Sequence, residues 1–166
     1  SKRSTAISYK TKGRREISSL TAAGMGLAFA RAGQERVAVS FIGEGGSSLG
    51  EWHEAINLCA ARRLPVVFCL ENNQTALSTP VREQSAVRVF ADKAAGYGIP
   101  GITIDGTDPD EIAAAFAWAA LRYARGLPVA GWTFCPAITA GERAASAQER
   151  VIGPIWSRED AKATRP

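Results

Sequence analysis

One stretch, Val37 to Pro80, sets most of what this chain can fold into: VAVSFIGEGGSSLGEWHEAINLCAARRLPVVFCLENNQTALSTP. The apolar run Arg36–Ile42 predicts a strand, and the GEGG that follows predicts a turn. Ser48-Leu49-Gly50-Glu51 has capping-box spacing and predicts a helix to about Arg63, with Trp52, Ile56, Cys59 and Ala60 on its buried stripe. Pro65 opens a second strand, Val66–Leu70, apolar throughout, as expected of a strand covered on both faces. Both polar turns, GEGG and Asn72-Asn73, therefore follow strands. That is the end at which an open parallel α/β sheet places its ligands.

The residue types in those turns point to a chemistry. Gly43, Gly45 and Gly46 let backbone N–H groups approach a ligand, and the N-terminus of the following helix favours an anion such as phosphate. Glu44 supplies a carboxylate and Asn73 an amide oxygen, hard ligands that suit Mg²⁺. Blander readings stand beside these: a tight glycine turn, a turn acid, and an Asn chosen for turn formation. Ser47 and Ser48 read as helix caps rather than nucleophiles. His53, the only histidine, lies beside Trp52 but off the apolar stripe, and reads as a residue at the surface or one layer behind the ligands, with no catalytic or ligand role. No Ser/His/Asp set and no Cys-His pair can be assembled.

Elsewhere the chain continues the alternation. A helix is expected from Ser18 to Ala32, with Leu20, Ala23, Leu27 and Ala30 on one face and Gly33 as its stop. Gly24 and Gly26 are costly inside it unless something needs close approach. After Thr79-Pro80, an extended loop, a helix over about Val87–Gly96 leads to a strand at Gly101–Ile104. Asp108-Pro109-Asp110-Glu111 is a strong helix start, and Ile112, Ala115, Phe116, Ala119 and Tyr123 repeat at helical spacing until Gly126 and Pro128. Val129–Phe134 can supply a last strand. The pattern predicts an α/β fold: a doubly wound, mainly parallel sheet with helices on both faces, the strands near 36–42, 66–71 and 101–104 being neighbours or near-neighbours. At 166 residues this is one domain, divided as a basic, flexible arm (1–17), the α/β domain (18–135) and a divergent tail (136–166).

Charge and cysteines exclude some classes. Residues 1–17 carry a net +5 and the remainder a net −1, so the sequence pI of about 9.2 reflects the arm. A short basic arm reads first as a solvated tail and second as a nucleic-acid arm. Cys59, Cys69 and Cys135 lack metal-ligand spacing; the first two read as buried, reduced thiols, which fits a cytoplasmic setting. No apolar run is long enough to span a membrane, and the basic N-terminus lacks the apolar stretch of a signal peptide.

Gly43-Glu44-Gly45, 26 intervening residues and then Asn72-Asn73 resemble the thiamine-diphosphate motif written GDG…NN. EWHEAINLCAARRLPVVFCLENNQTALSTP, continued by FADKAAGYGIPGITIDGTDPDEIAAAF, is similar to the E1 component α subunit of 2-oxo acid dehydrogenases, the pyruvate, branched-chain and acetoin group. The resemblance covers about residues 18–120. It implies the thiamine-diphosphate-binding fold, with Gly43, Glu44, Gly45, Gly46 and Asn73 at the cofactor, and Glu44, Asn73 and the Thr75 backbone carbonyl as Mg²⁺ ligands. It implies oxidative decarboxylation of a 2-oxo acid, the hydroxyalkyl fragment passing reductively to a lipoyl group on an E2 partner. An E1 β-type subunit would supply the pyrimidine-binding domain, so the chain is expected to oligomerise and to be inactive alone.

The sequence departs from the family pattern in three places. Glu44 stands where Asp is usual, and the extra methylene implies weaker metal binding or an intervening water. The Gly-x-Gln-x-Pro segment before the first helix is replaced by Glu16-Ile17-Ser18-Ser19-Leu20, and no histidine follows the last strand. Two alternatives therefore accompany the E1 α reading: a non-catalytic remnant of the family, and a general nucleotide- or nucleic-acid-binding α/β domain.

Overall fold

A computed structural model describes residues 7–8, 17–124 and 131–135. In chain order the elements are β1 (Ile7–Ser8), α1 (Ile17–Arg31), β2 (Ala38–Gly43), a 3-10 turn (Glu44–Ser48), α2 (Gly50–Arg62), β3 (Val66–Glu71), β4 (Thr75–Ala76), β5 (Thr79–Pro80), α3 (Val81–Gln84), a 3-10 helix (Phe90–Tyr97), β6 (Gly101–Asp105), α4 (Pro109–Ala124) and β7 (Gly131–Cys135). Five strands form one sheet in the order β1-β2-β3-β7-β6, every neighbouring pair parallel. β2 and β3 are neighbours and β7 separates β3 from β6, within the neighbour or near-neighbour relation expected of these strands. Two residues of the basic N-terminal stretch, Ile7 and Ser8, pair with Ala38 and Val39. The rest of the basic arm before Ile17, the Gly126 and Pro128 stop, and the tail from residue 136 lie outside the described residues.

Strand alternation splits the core in two. Ala38 and Ile42 of β2 and Val66, Phe68 and Leu70 of β3 pack with α1, α2 and the 3-10 helix. Val39, Val67 and Cys69 turn the other way, with Phe41, Ile102 and Ile104, and meet α4 through Ala115 and Ala119. The β2-α2-β3 crossover runs one way along the sheet and β6-α4-β7 runs back. Right-handed crossovers of opposite direction put their helices on opposite faces. The two clusters show that arrangement.

Three local expectations are corrected. The buried stripe of α1 is Ser19, Ala22, Ala23 and Phe29, whereas Leu20 is 38% exposed and Ala30 is exposed. The cause is Gly26: a Cβ there would lie 2.5 Å from Val66 Cγ2. The helix turns its smallest residues to the sheet, and Ser19 Oγ meets Ser40 Oγ at 3.2 Å in the buried seam. A segment as uniformly apolar as AAGMGLAFA carries no periodicity that would have revealed this.

Second, Ser48 does not cap α2, whose N-cap is Leu49 with no side-chain cap hydrogen bond. The preceding 3-10 turn is instead closed by Ser47, whose Oγ donates to the Glu44 carbonyl at 2.6 Å. Third, the helix expected over Val87–Gly96 is a 3-10 helix ended by Gly98 at φ 69°. The Asp108 cap forms as read, accepting from the N–H groups of Asp110 at 2.8 Å and Glu111 at 3.3 Å.

Candidate functional site

The register of β2 on β3 ends with Gly43 opposite Glu71. The two polar turns thus leave the sheet side by side, Glu44 beginning one and Asn72 the other. A cavity of about 740 Å³ opens there. Gly43, Glu44, Gly45, Gly46, Asn73 and Thr75, the residues singled out from the sequence, all line it. Its apolar wall is Phe41 with Ile112 and Phe116 of α4.

Gly45 and Gly46 each have a steric reason. A Cβ on Gly46 would come within 2.7 Å of the Ile42 side chain. A Cβ on Gly45 would overlap the methyl of Ala76. Any larger residue would fill the cradle between the turn and the β4–β5 hairpin.

Glu44 is the electrostatic centre of the cavity. It is 3% exposed, and its Oε1 has no hydrogen-bond partner among the described residues. A carboxylate oxygen taken out of water without a partner is strongly unfavourable. A cation relieves it. None of the described residues lining the cavity is Lys, Arg or His, so among them no positive side chain faces the Glu44 carboxylate. Among the described residues no group of three or more His, Cys, Asp or Glu could hold a metal ion. A cation beside Glu44 would rest on that carboxylate plus amide and backbone oxygens, with Glu71 as a second carboxylate in the lining, a hard donor set of the kind Mg²⁺ takes together with phosphate oxygens.

The Asn-Asn turn is built from two consecutive side-chain turns. Asn72 Oδ1 accepts from Gln74 N–H at 3.0 Å and Asn73 Oδ1 from Thr75 N–H at 3.1 Å. Asn72 is buried and Asn73 is exposed at the cavity. The turn-forming role of Asn73 is thus realised, and its amide oxygen retains a second lone pair for a ligand. Thr75 stands opposite Pro80 in the hairpin. Proline has no N–H to give, so the Thr75 carbonyl receives no ladder bond from its opposite residue.

Sequence reasoning missed Glu71 and Leu77. Glu71 continues the Val67-Cys69 face of β3 and lines the cavity, a position that the period-2 alternation could have revealed. Its charge, after burial itself, raises the Cys69 thiol well above its ordinary pKa. Leu77, at φ 54°, is fully exposed at the hairpin tip. His53, expected at the surface or one layer behind the ligands, is half-buried and hydrogen-bonds the Tyr97 hydroxyl through Nδ1. It lines a separate cavity of about 40 Å³ with Trp52, Phe68 and Phe90, within the packing of the opposite sheet face.

A doubly wound parallel sheet with ligand turns at paired strand ends defines the class of protein. The family model described as Dehydrogenase E1 component matches residues 4–128. The chain is 34% identical over 143 residues to the pyruvate dehydrogenase E1 component subunit alpha of Bacillus subtilis, covering 83% of this chain and 38% of the relative. Over 112 residues it is 41% identical to the Staphylococcus aureus subunit alpha, covering 68% of this chain and 29% of that one. A solved Mycobacterium smegmatis chain described as a thiamin diphosphate-dependent enzyme shares the fold, with a TM-score of 0.50 at 20% identity over 75% of this chain and 22% of the other. The chain belongs to the dehydrogenase E1 component family, and its matched part is similar to the α subunit. It spans well under half the length of these relatives. No helix among the described residues is long and apolar enough to cross a membrane.

Proposed function

We propose that this chain is the diphosphate-binding, α-type part of a 2-oxo acid dehydrogenase E1 component, and that its cavity holds thiamine diphosphate through Mg²⁺. The observation that carries the reading is the Glu44 Oε1 atom, buried with no partner among the described residues, in a cavity with no basic side chain among its described lining. A diphosphate can enter such a cavity only with a cation that neutralises both it and the carboxylate. Glu44, Asn73 Oδ1 and the Thr75 carbonyl hold the cation in this reading. Gly45 and Gly46 keep the turn bare of side chains so that backbone N–H groups reach the diphosphate. When bound, thiamine diphosphate supplies the carbon nucleophile for decarboxylating a 2-oxo acid. The protein's part is to orient it and to exclude water on the apolar wall of Phe41, Ile112 and Phe116.

The unit that does this is the 18–135 α/β domain, and an E1 β-type partner completes the site around the pyrimidine. A lipoyl-bearing E2 accepts the product fragment, and the assembly is cytoplasmic. Calorimetric titration of the chain with thiamine diphosphate plus Mg²⁺ tests the reading, beside Mg²⁺ alone, ATP plus Mg²⁺, and a short DNA duplex. Saturable binding of thiamine diphosphate that disappears on chelating the metal is the expected result. Equal binding of ATP, or binding of DNA alone, would overturn it. Decarboxylation of a 2-oxo acid is expected only after a β-type subunit is added.

A further inference from the structure

The hairpin that closes the cavity is held by a side chain outside the cavity lining. Gln84 ends α3, and its Nε2 donates to the Thr79 carbonyl at 2.6 Å. Val81 N–H bonds the Gln74 carbonyl at 3.0 Å, so β4, β5 and α3 form one closed loop. Ala76, the residue of that loop facing Thr79, has its methyl within overlap distance of where a Cβ on Gly45 would be. The same built Cβ would lie 3.4 Å from Gln84 Oε1. Gln84 therefore stands against both the hairpin and the glycine turn.

The amide orientation is fixed, because a carbonyl only accepts and so the nitrogen must face Thr79. That leaves Oε1 toward Gly45, buried and without a hydrogen-bond partner among the described residues. An open buried acceptor is unfavourable. The amide is kept in this place by its nitrogen, at the expense of its oxygen.

We propose that Gln84 is a positioning residue of the cation site. It latches the β4–β5 hairpin against Gly45, and this sets the Thr75 carbonyl and Asn73 relative to Glu44 before any ligand arrives. The inference rests on the reading of Glu44, Asn73 and Thr75 as the cation's oxygens. Removing the latch leaves those three oxygens in place but lets their spacing vary, a defect Mg²⁺ tolerates poorly. Outer partners that orient metal ligands typically change affinity by roughly 10- to 100-fold when lost.

The test compares the full chain with Gln84→Met, of similar length but without donor or acceptor, and with Gln84→Lys, which keeps a donor for Thr79. Amide hydrogen exchange at Val81 reports the hairpin without any ligand. Gln84→Met should speed that exchange and leave the thermal midpoint nearly unchanged. It should also raise the Mg²⁺ concentration needed for half-maximal thiamine-diphosphate binding by about tenfold or more. Gln84→Lys should restore slow exchange. Unchanged exchange and an unchanged Mg²⁺ requirement in Gln84→Met would overturn the proposal. If the parent chain bound no thiamine diphosphate at any Mg²⁺ concentration, the cofactor reading would fail instead, and the exchange comparison would still decide whether Gln84 is a latch.

Discussion

Gly43 and Glu71 face one another as the last register pair of β2 and β3, and everything chemical in the described residues follows from that adjacency. One strand ends in a glycine turn that offers backbone donors and a buried carboxylate. Its neighbour ends in an Asn-Asn turn that offers oxygens. The two meet only because both strands are parallel and in register. A slip by one residue would turn Glu44 from the cavity to the opposite face.

Glu44 should behave as a residue kept for binding at the expense of stability. With Oε1 buried and without a partner among the described residues, Glu44→Gln removes a buried carboxylate at nearly constant shape. The ligand-free chain should become more stable by about 1 kcal/mol, while Mg²⁺-dependent binding of thiamine diphosphate falls below detection. Glu44→Ala should also abolish binding, and Glu44→Asp should preserve or improve it. Chemical denaturation and calorimetry on the same preparations check both halves. Undiminished, Mg²⁺-requiring binding by Glu44→Ala would show that the metal sits elsewhere.

Gly45→Ala tests the cradle. The added methyl collides with Ala76, so either the hairpin or the glycine turn must shift, an overpacking that costs about 1–3 kcal/mol. The expected outcome is a folded chain with a lower thermal midpoint and at least about tenfold weaker cofactor binding, as for a ligand oxygen moved out of place. The double variant Gly45→Ala with Ala76→Gly should recover much of the stability.

How far the site was legible in the sequence depends on which interactions were local. That Gly43–Gly46, Asn73 and Thr75 come together at one cavity was readable because strand, turn and helix follow each other within a few residues; the roles proposed for them come from the family resemblance. The Asp108 cap is equally local, and it formed as read. Ser48 was misjudged because Ser47 and Ser48 stand next to each other and only the tight 3-10 turn decides which hydroxyl is used. The face of α1 was misjudged because its orientation is set by Val66, forty residues away, through the space that Gly26 leaves open. Gln84 carries no sequence signal at all: its role depends on where a two-residue hairpin places the Thr79 carbonyl.

The two helix glycines of α1 make a paired test of that argument. A Cβ at Gly26 would lie 2.5 Å from Val66 Cγ2, whereas one at Gly24 would meet nothing within 4 Å. Gly26→Ala should therefore destabilise by about 1–3 kcal/mol, pushing α1 off β3. Gly24→Ala should stabilise by about 0.5–1 kcal/mol, since alanine loses less backbone freedom in a helix. Urea midpoints at constant slope give both values. Equal effects of the two substitutions would contradict the packing of α1.

The last prediction concerns alkaline pH. Burial raises the Cys59 thiol from an ordinary 9.0 to about 12, and Cys59 is 5% exposed on the core face of α2. Below pH 9 the thiol is protonated in both folded and unfolded chains and contributes no pH dependence. Between pH 9 and 12 the unfolded chain releases the proton and the folded chain retains it, so the unfolded state binds fewer protons and stability falls as pH rises. The fall is up to about 1.4 kcal/mol per pH unit for one such thiol. Burial shifts Tyr97 and Lys93 as well, upward and downward respectively, and a single stability profile would mix all of these. Comparing the parent with Cys59→Ala cancels the common groups. At pH 7 the parent should be the more stable of the two through its better-filled core. The gap should stay constant to about pH 9 and then close, with the variant overtaking near pH 10–11 if the packing loss is about 1–2 kcal/mol. Denaturant midpoints at half-unit steps from pH 7 to pH 11 measure this. A gap independent of pH would mean that the Cys59 thiol ionises in the folded chain as easily as in the unfolded one, which its burial against Ile56 and Leu64 forbids.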